Sequence, residues 1–188
     1  MRLSTQSSWN VQTRGFTNVD HQPLATRSSR WQTSPMASFR AATRDDFVTI
    51  ERFARLASRC NAARYSEHWG RWGDFGVIAE THGQPSGAAW ARLFPWNDLR
   101  DPCGSPEFPE VAIAVDPASR GRGLGTALLR ELVTEADKLG YLALDLSVDI
   151  SNLAAMAVYT KLGFKRIDGE TRLWMRATIR EGGACRNP

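Results

Sequence analysis

The stretch SRGRGLGTALLREL, Ser119–Leu132, interleaves Arg120 and Arg122 with Gly121, Gly123 and Gly125 at the head of an apolar helical stripe. Glycines gather like this where the backbone must turn left-handed or approach something closely. EVAIAV, Glu110–Val115, precedes them as a strand that Asp116-Pro117 ends. Leu124, Leu128, Leu132 and Ala136, backed by Leu129 and Val133, follow at helical spacing to Leu139, and Gly140 is placed as a C-cap. Strand, glycine loop and helix start together aim free N–H groups and the positive end of a helix dipole at one spot.

Two readings fit this arrangement. In one, the loop cradles a phosphate or pyrophosphate: Gly123 lets the backbone curl, Gly125 clears a side chain from the path, and Arg120 and Arg122 add charge-assisted contacts. In the other, it is merely a tight strand-to-helix turn. A dinucleotide fingerprint is ruled out because Thr126 stands where its third glycine belongs, and no P-loop G-K-[ST] is present. An arginine-glycine RNA patch belongs in a disordered segment, not at the start of an amphipathic helix.

The surrounding patterns alternate. SFRAA is a short strand beginning at Ser38. TRDDFVTIERFARLA is a helix with Phe47, Ile50, Phe53, Ala54 and Ala57 on one face, and with Thr43, Asp45 and Asp46 at its N-terminal end. FGVIAE, THGQP and SGAAWARLF predict a hairpin. YLALDLSV is a strand, NLAAMAVYTKL a second amphipathic helix closed by Gly163, and FKRI with TRLWMRATI a last hairpin. The fold class is α/β of mixed type: a mostly antiparallel central sheet flanked by helices.

Composition limits the function. The net charge of +4 is concentrated in residues 1–35, where four arginines face Asp20 alone. The remainder is close to neutral, so broad attraction to nucleic acid is not expected. Residues 1–35 lack apolar periodicity and are expected to be a disordered extension, although their Ser- and Arg-rich, acid-poor composition also suits an organellar transit peptide. The domain is expected over 36–188. Cys60, Cys103 and Cys185 are odd in number and scattered, giving neither a disulfide framework nor a zinc site. With no secretory pattern and no apolar run of membrane length, the cytoplasm is the expected location, without membrane association.

AVDPASRGRGLGTALL, Ala114–Leu129, resembles the coenzyme A-binding motif of the GNAT N-acetyltransferase superfamily, Arg/Gln-x-x-Gly-x-Gly/Ala, filled here by Arg120, Gly123 and Gly125. NLAAMAVYTKLGF resembles that family's second signature, N-x-x-A-x-x-x-Y followed by L-G-F. Asn152, Ala155, Tyr159 and Leu162-Gly163-Phe164 fill each position. The resemblance covers roughly Ser38–Ile179 and is most specific over Glu110–Ile167.

The resemblance implies an enzyme that moves the acetyl group of acetyl-CoA directly to a primary amine of a small molecule or peptide, with no metal and with a homodimer in keeping. A non-catalytic acyl-CoA-binding or regulatory domain on the same fold is the alternative. Arg120, Gly121, Arg122, Gly123, Leu124, Gly125 and Thr126 would hold the pyrophosphate, and the backbone of Ala114 and Val115 the pantetheine arm. Asn152 is either a helix-start residue or a cofactor hydrogen-bond partner. Tyr159 is either a core tyrosine or, as the resemblance implies, the donor of a proton to the departing thiolate. An ammonium has no lone pair, so a base must take its proton. Glu110 is the candidate and Glu107 its rival. Trp69, Trp72, Trp90, Phe94 and Trp96 would wall the acceptor side or simply pack, and His68 is read as incidental.

Overall fold

The computed structural model describes residues 37–58, 61–95, 105–169 and 172–180, all within the unit Pro35–Pro188. The expected extension over 1–35, Trp96 and the three cysteines lie outside the described residues.

Eleven elements follow in order: β1 Ser38–Ala41, α1 Phe47–Ala57, α2 Ala62–Ser66, β2 Phe75–Thr81, β3 Gln84–Arg92, β4 Glu110–Val115, α3 Leu124–Lys138, β5 Ala143–Asp149, α4 Leu153–Lys161, β6 Lys165–Asp168 and β7 Arg172–Thr178. The described strands form one sheet in the order β1-β2-β3-β4-β5-β7-β6. Neighbours are antiparallel except β4 and β5. A parallel pair needs a crossover, and α3 supplies it. The β2–β3 hairpin turns on His82 and Gly83, with φ of 54° and 70°, the left-handed pair that matches strand twist in a two-residue loop.

Strand alternation sends side chains into two cores. On one face Val77, Ala89, Val111, Leu144, Leu146 and Met175 pack with Leu128, Leu129 and Leu132 of α3. On the other, Ile78, Ala88, Trp90, Ala112 and Ala114 meet Ile50, Phe53 and Ala54 of α1. The stripe expected on α1 is buried only in its middle, with Phe47 and Ala57 exposed. Phe47 is the first residue of the helix, after a single 3-10 turn over Arg44–Asp46, and Ala57 is the last. Asp46 fixes that entry. Its carboxylate accepts two hydrogen bonds from Arg40 (2.8 and 2.7 Å) and one from the Thr43 N–H (2.7 Å), and Arg40 holds it down at about 2.

β4 and β5 meet at a single registered pair, Glu110 with Asp145, where the Asp145 N–H donates to Pro109 O at 3.0 Å. Beyond that point β4 stays with β3 as far as Val115, and β5 stays with β7 throughout. The two strands therefore part. The sheet carries a wedge-shaped gap that opens toward the glycine loop.

Candidate functional site

One edge of the gap is the backbone of β4 beyond its registered pair with β5, which no other described strand covers. Asp116 N–H donates to Ser86 O on β3 (2.9 Å), whereas Pro109 O accepts from β5. Peptide groups alternate along a strand, so Ile113 and Val115 turn theirs toward the gap and Ala114 turns its own toward β3. The Ala114 side chain is buried in the α1 core. Val115 O accepts from Arg120 Nε at 3.0 Å, which ties the glycine loop to the end of the strand.

At the open end stands the N-terminus of α3. Gly123 is its N-cap at φ 80°, and Gly121 precedes it at φ 73°. A Cβ on either would meet nothing within 4 Å, so the backbone conformation calls for glycine, not crowding. Gly125 differs: it is helical, and a Cβ there would touch Val115 Cγ2 at an ordinary 3.7 Å. The first intrahelical bond is Ala127 N–H to Gly123 O at 3.1 Å. Among the described residues nothing accepts from the N–H groups of Leu124, Gly125 and Thr126. Arg122 is exposed beside them and has no partner among the described residues. A pyrophosphate fits this donor set, which is free, convergent and positive.

At the closed end lies Glu110, buried in the α2 side of the sheet. Tyr65 donates its hydroxyl hydrogen to Glu110 Oε1, and Arg64 Nη2 lies 3.6 Å from Oε2. Burial pushes the Glu110 carboxyl up, with Tyr65 and Arg64 opposing and Asp145 adding to the rise. Glu107, its rival from the sequence, is exposed in the preceding turn. Asp145 is buried too, and Arg176 pairs with both of its oxygens at 2.6 and 2.7 Å while lying 4.4 Å from the Phe108 ring centre.

The second motif builds α4. Asn152 caps it, its Oδ1 accepting from Ala155 N–H at 3.1 Å, so the helix-start reading of this residue describes its oxygen. Tyr159 is half-buried against the α3 core, with its ring 5.9 Å from that of Phe164. Burial pushes its hydroxyl up to about 12, and no described residue hydrogen-bonds to it. It is protonated at neutral pH and has its proton to give.

The aromatic residues separate. Trp69 and Trp90 are core, with indole N–H groups donating to Thr43 O (2.7 Å) and Tyr65 O (2.8 Å). Trp72 is 86% exposed. Phe94 is buried with Tyr65 edge-on at 6.0 Å. His68 is exposed. Sequence reasoning passed over Arg64, Tyr65, Asp145 and Arg176. Asp145 and Arg176 gave no signal: each stands on the polar side of its strand pattern, opposite Leu144 and Leu146 or Leu173 and Met175, and only the fold buries Asp145 and gives it Arg176 as a partner. Among the described residues no group of three or more His, Cys, Asp or Glu is placed to hold a metal, and no helix is long and apolar enough to cross a membrane.

Known proteins resemble this chain in sequence and in fold. The mycothiol acetyltransferase of Salinispora arenicola is 33% identical over 142 residues, covering 70% of this chain and 44% of that protein. The ribosomal protein bS18-alanine N-acetyltransferase of Escherichia coli is 52% identical over 52 residues, 28% of this chain and 35% of that protein. The chain thus spans less than half the length of these curated relatives. Among solved structures, a putative acetyltransferase of Salmonella typhimurium with its cofactor acetyl-CoA superposes with a TM-score of 0.62 at 21% identity, over 79% of this chain and 97% of that one. The Escherichia coli ribosomal-protein alanine N-acetyltransferase superposes with 0.62 at 23%, over 80% and 98%. The family model described as Acetyltransferase (GNAT) family matches residues 29–164, and the chain belongs to that family.

Proposed function

We propose that the protein is an acetyl-CoA-dependent N-acetyltransferase that acts on a primary amine. One observation carries the reading: a single gap between β4 and β5 has free N–H groups at one end and a buried carboxylate at the other. The amides of Leu124, Gly125 and Thr126, with Arg122 beside them, hold the pyrophosphate. The peptide groups of Ile113 and Val115 pair with the pantetheine arm as an added strand would. Arg120, bonded to Val115 O, sets the loop.

Acetyl-CoA supplies an activated acyl group whose C–S bond breaks as the C–N bond forms. Glu110 removes the proton that the attacking amine must lose, directly or through a water, and Tyr159 gives its proton to the departing sulfur. Burial suits both roles, since it raises the affinity of Glu110 for a proton and keeps Tyr159 protonated.

The test is calorimetric titration of the protein with acetyl-CoA beside a Gly123→Trp variant. Thiol release is then followed with primary amines, a peptide beginning with alanine among them in view of the bS18-alanine relative. Micromolar binding that the variant loses, followed by amine-dependent thiol release, supports the reading. No binding to the wild type overturns it. Binding without turnover on any amine leaves the non-catalytic domain.

A further inference from the structure

Glu110 is held from α2, an element with no evident signal in the sequence. Five residues make too short a helix to stand alone. Side chains of β3 secure its carbonyl end: Arg92 Nη1 donates to Arg64 O (2.8 Å) and Glu67 O (2.9 Å), and Trp90 Nε1 to Tyr65 O (2.8 Å). Arg92 is fixed in turn by both oxygens of Asp74, at 2.9 and 2.7 Å, and both side chains are almost fully buried. Phe94 closes the other side, with the Tyr65 ring edge-on and the Arg64 guanidinium 3.5 Å from its ring centre. Backbone and ring of Tyr65 are thus both held, and the hydroxyl is delivered to Glu110 Oε1.

We propose that Tyr65 is a positioning residue: by donating its phenolic hydrogen to Glu110 Oε1 it fixes the carboxylate at the closed end of the gap, with Oε2, which Arg64 Nη2 approaches only to 3.6 Å, as the oxygen that takes the substrate proton. This rests on the reading of Glu110 as the base. Were the carboxylate free to rotate into the apolar strand face, or to pick up a proton in its buried setting, it would be lost as a base at neutral pH. The Tyr65 hydrogen bond opposes both.

The charged and titratable groups around Glu110 come from four elements. They are Arg64 and Tyr65 on α2, Arg92 with its Asp74 partner behind β3, Asp145 on β5, and Arg176 and Arg172 on β7. Arg92 and Arg176 each have a carboxylate of their own. Burial and Asp145 favour protonated Glu110, while Tyr65 and Arg64 favour the ionised form. Removing the Tyr65 hydroxyl should therefore move Glu110 toward protonation.

The experiment is a carbon-13 NMR titration of the full chain carrying carboxyl-labelled glutamate, with Glu110 assigned from Glu110→Gln, in the wild type and in Tyr65→Phe. It needs no acceptor. Tyr65→Phe keeps the ring between Phe94 and Glu110, and amide spectra check its fold. The Glu110 midpoint should rise by about one pH unit. The acid limb of kcat/KM for thiol release with an alanine-initiated peptide should move with it, and the rate should recover to within about threefold at high pH. An unmoved midpoint overturns the proposal, as does a rate loss that is uniform in pH. Full activity in Glu110→Gln overturns the base reading and this one together, whereas an inactive Glu110→Gln beside an unmoved Tyr65→Phe overturns the positioning alone. Should Tyr65→Phe not fold, Trp90→Phe, which releases the α2 carbonyl and leaves the phenol intact, should raise the same midpoint by a smaller amount. No movement there is equally decisive.

Discussion

Glu110 and Asp145 stand opposite each other where β4 and β5 part, two buried carboxylates on the same face of the sheet. Two such groups side by side raise one another's affinity for a proton, and each needs its own compensation. Asp145 has a two-pronged arginine, Arg176. Glu110 has a phenol and a longer contact to Arg64. Asp145 is thus engaged through both oxygens by one arginine, and this difference is why the base proposed above is Glu110.

The rate should report this. Burial raises the Glu110 carboxyl, and a base acts only when ionised. If Glu110 is the proposed base, protonation as pH falls through that raised value should remove activity, and kcat/KM should climb with pH from a limb lying above the ordinary carboxylate range. Glu110→Gln should lower the plateau by about 10²-fold or more and flatten the limb. Calorimetric affinity for acetyl-CoA should stay within about twofold of the wild type, because the donor set on α3 is untouched. Steady-state rates between pH 5 and 9, beside calorimetry, measure both.

Gly123 and Gly125 should separate backbone from ligand. At φ 80°, Gly123 sits where an L side chain costs about 1–2 kcal/mol, even though its Cβ would meet open space. Gly123→Ala should lose that much stability. Gly125 is helical, with an ordinary 3.7 Å contact waiting for a Cβ, so Gly125→Ala should be neutral or stabilising by up to about 1 kcal/mol. If Gly125→Ala weakens acetyl-CoA binding tenfold while keeping stability, the glycine is there for the ligand. Denaturant melts paired with calorimetry give both quantities.

The buried Arg92–Asp74 pair holds α2, and with it Tyr65 and Arg64. Asp74→Asn leaves a buried guanidinium without its counter-charge, a loss of about 3–5 kcal/mol. Urea unfolding should show a lower midpoint with an unchanged slope. The exposed pair Lys138–Glu135 on α3 is the control, and its removal should cost under about 1 kcal/mol.

Much of this was legible in the sequence, for identifiable reasons. Glycine, cap and periodicity patterns are local, so β4, α3 and α4 emerged nearly to the residue, with Gly140 and Gly163 at φ 86° and 88° closing their helices. No pattern in EVAIAV states that its pairing with β5 ends after Glu110; that follows from each strand keeping its other neighbour. α2 was missed because five residues, AARYS, carry no helical period, and it is held by side chains of β3 far along the chain. For the same reason Tyr65 gave no sign of a role: its partner is 45 residues away. Trp96 and the stretch 96–104 lie outside the described residues.

Tyr159 gives the cleanest separation of chemistry from packing. Its ring belongs to the α3 side of the core, and its hydroxyl has no hydrogen-bond partner among the described residues. Tyr159→Phe therefore orphans no protein group and should change stability by no more than about 0.5 kcal/mol. If the hydroxyl donates to the departing sulfur, the same change should cut kcat about 10²-fold while the affinity for acetyl-CoA holds. Because burial keeps the phenol protonated up to about 12, that loss should be constant from pH 6 to 9, unlike a defect at Glu110. A leaving group with a lower pKa than coenzyme A needs less help. An acetyl thioester of an aromatic thiol should therefore recover much of the lost rate in Tyr159→Phe and gain little in the wild type. Equal effects on both enzymes would make Tyr159 a packing residue and leave the thiolate to take its proton from water.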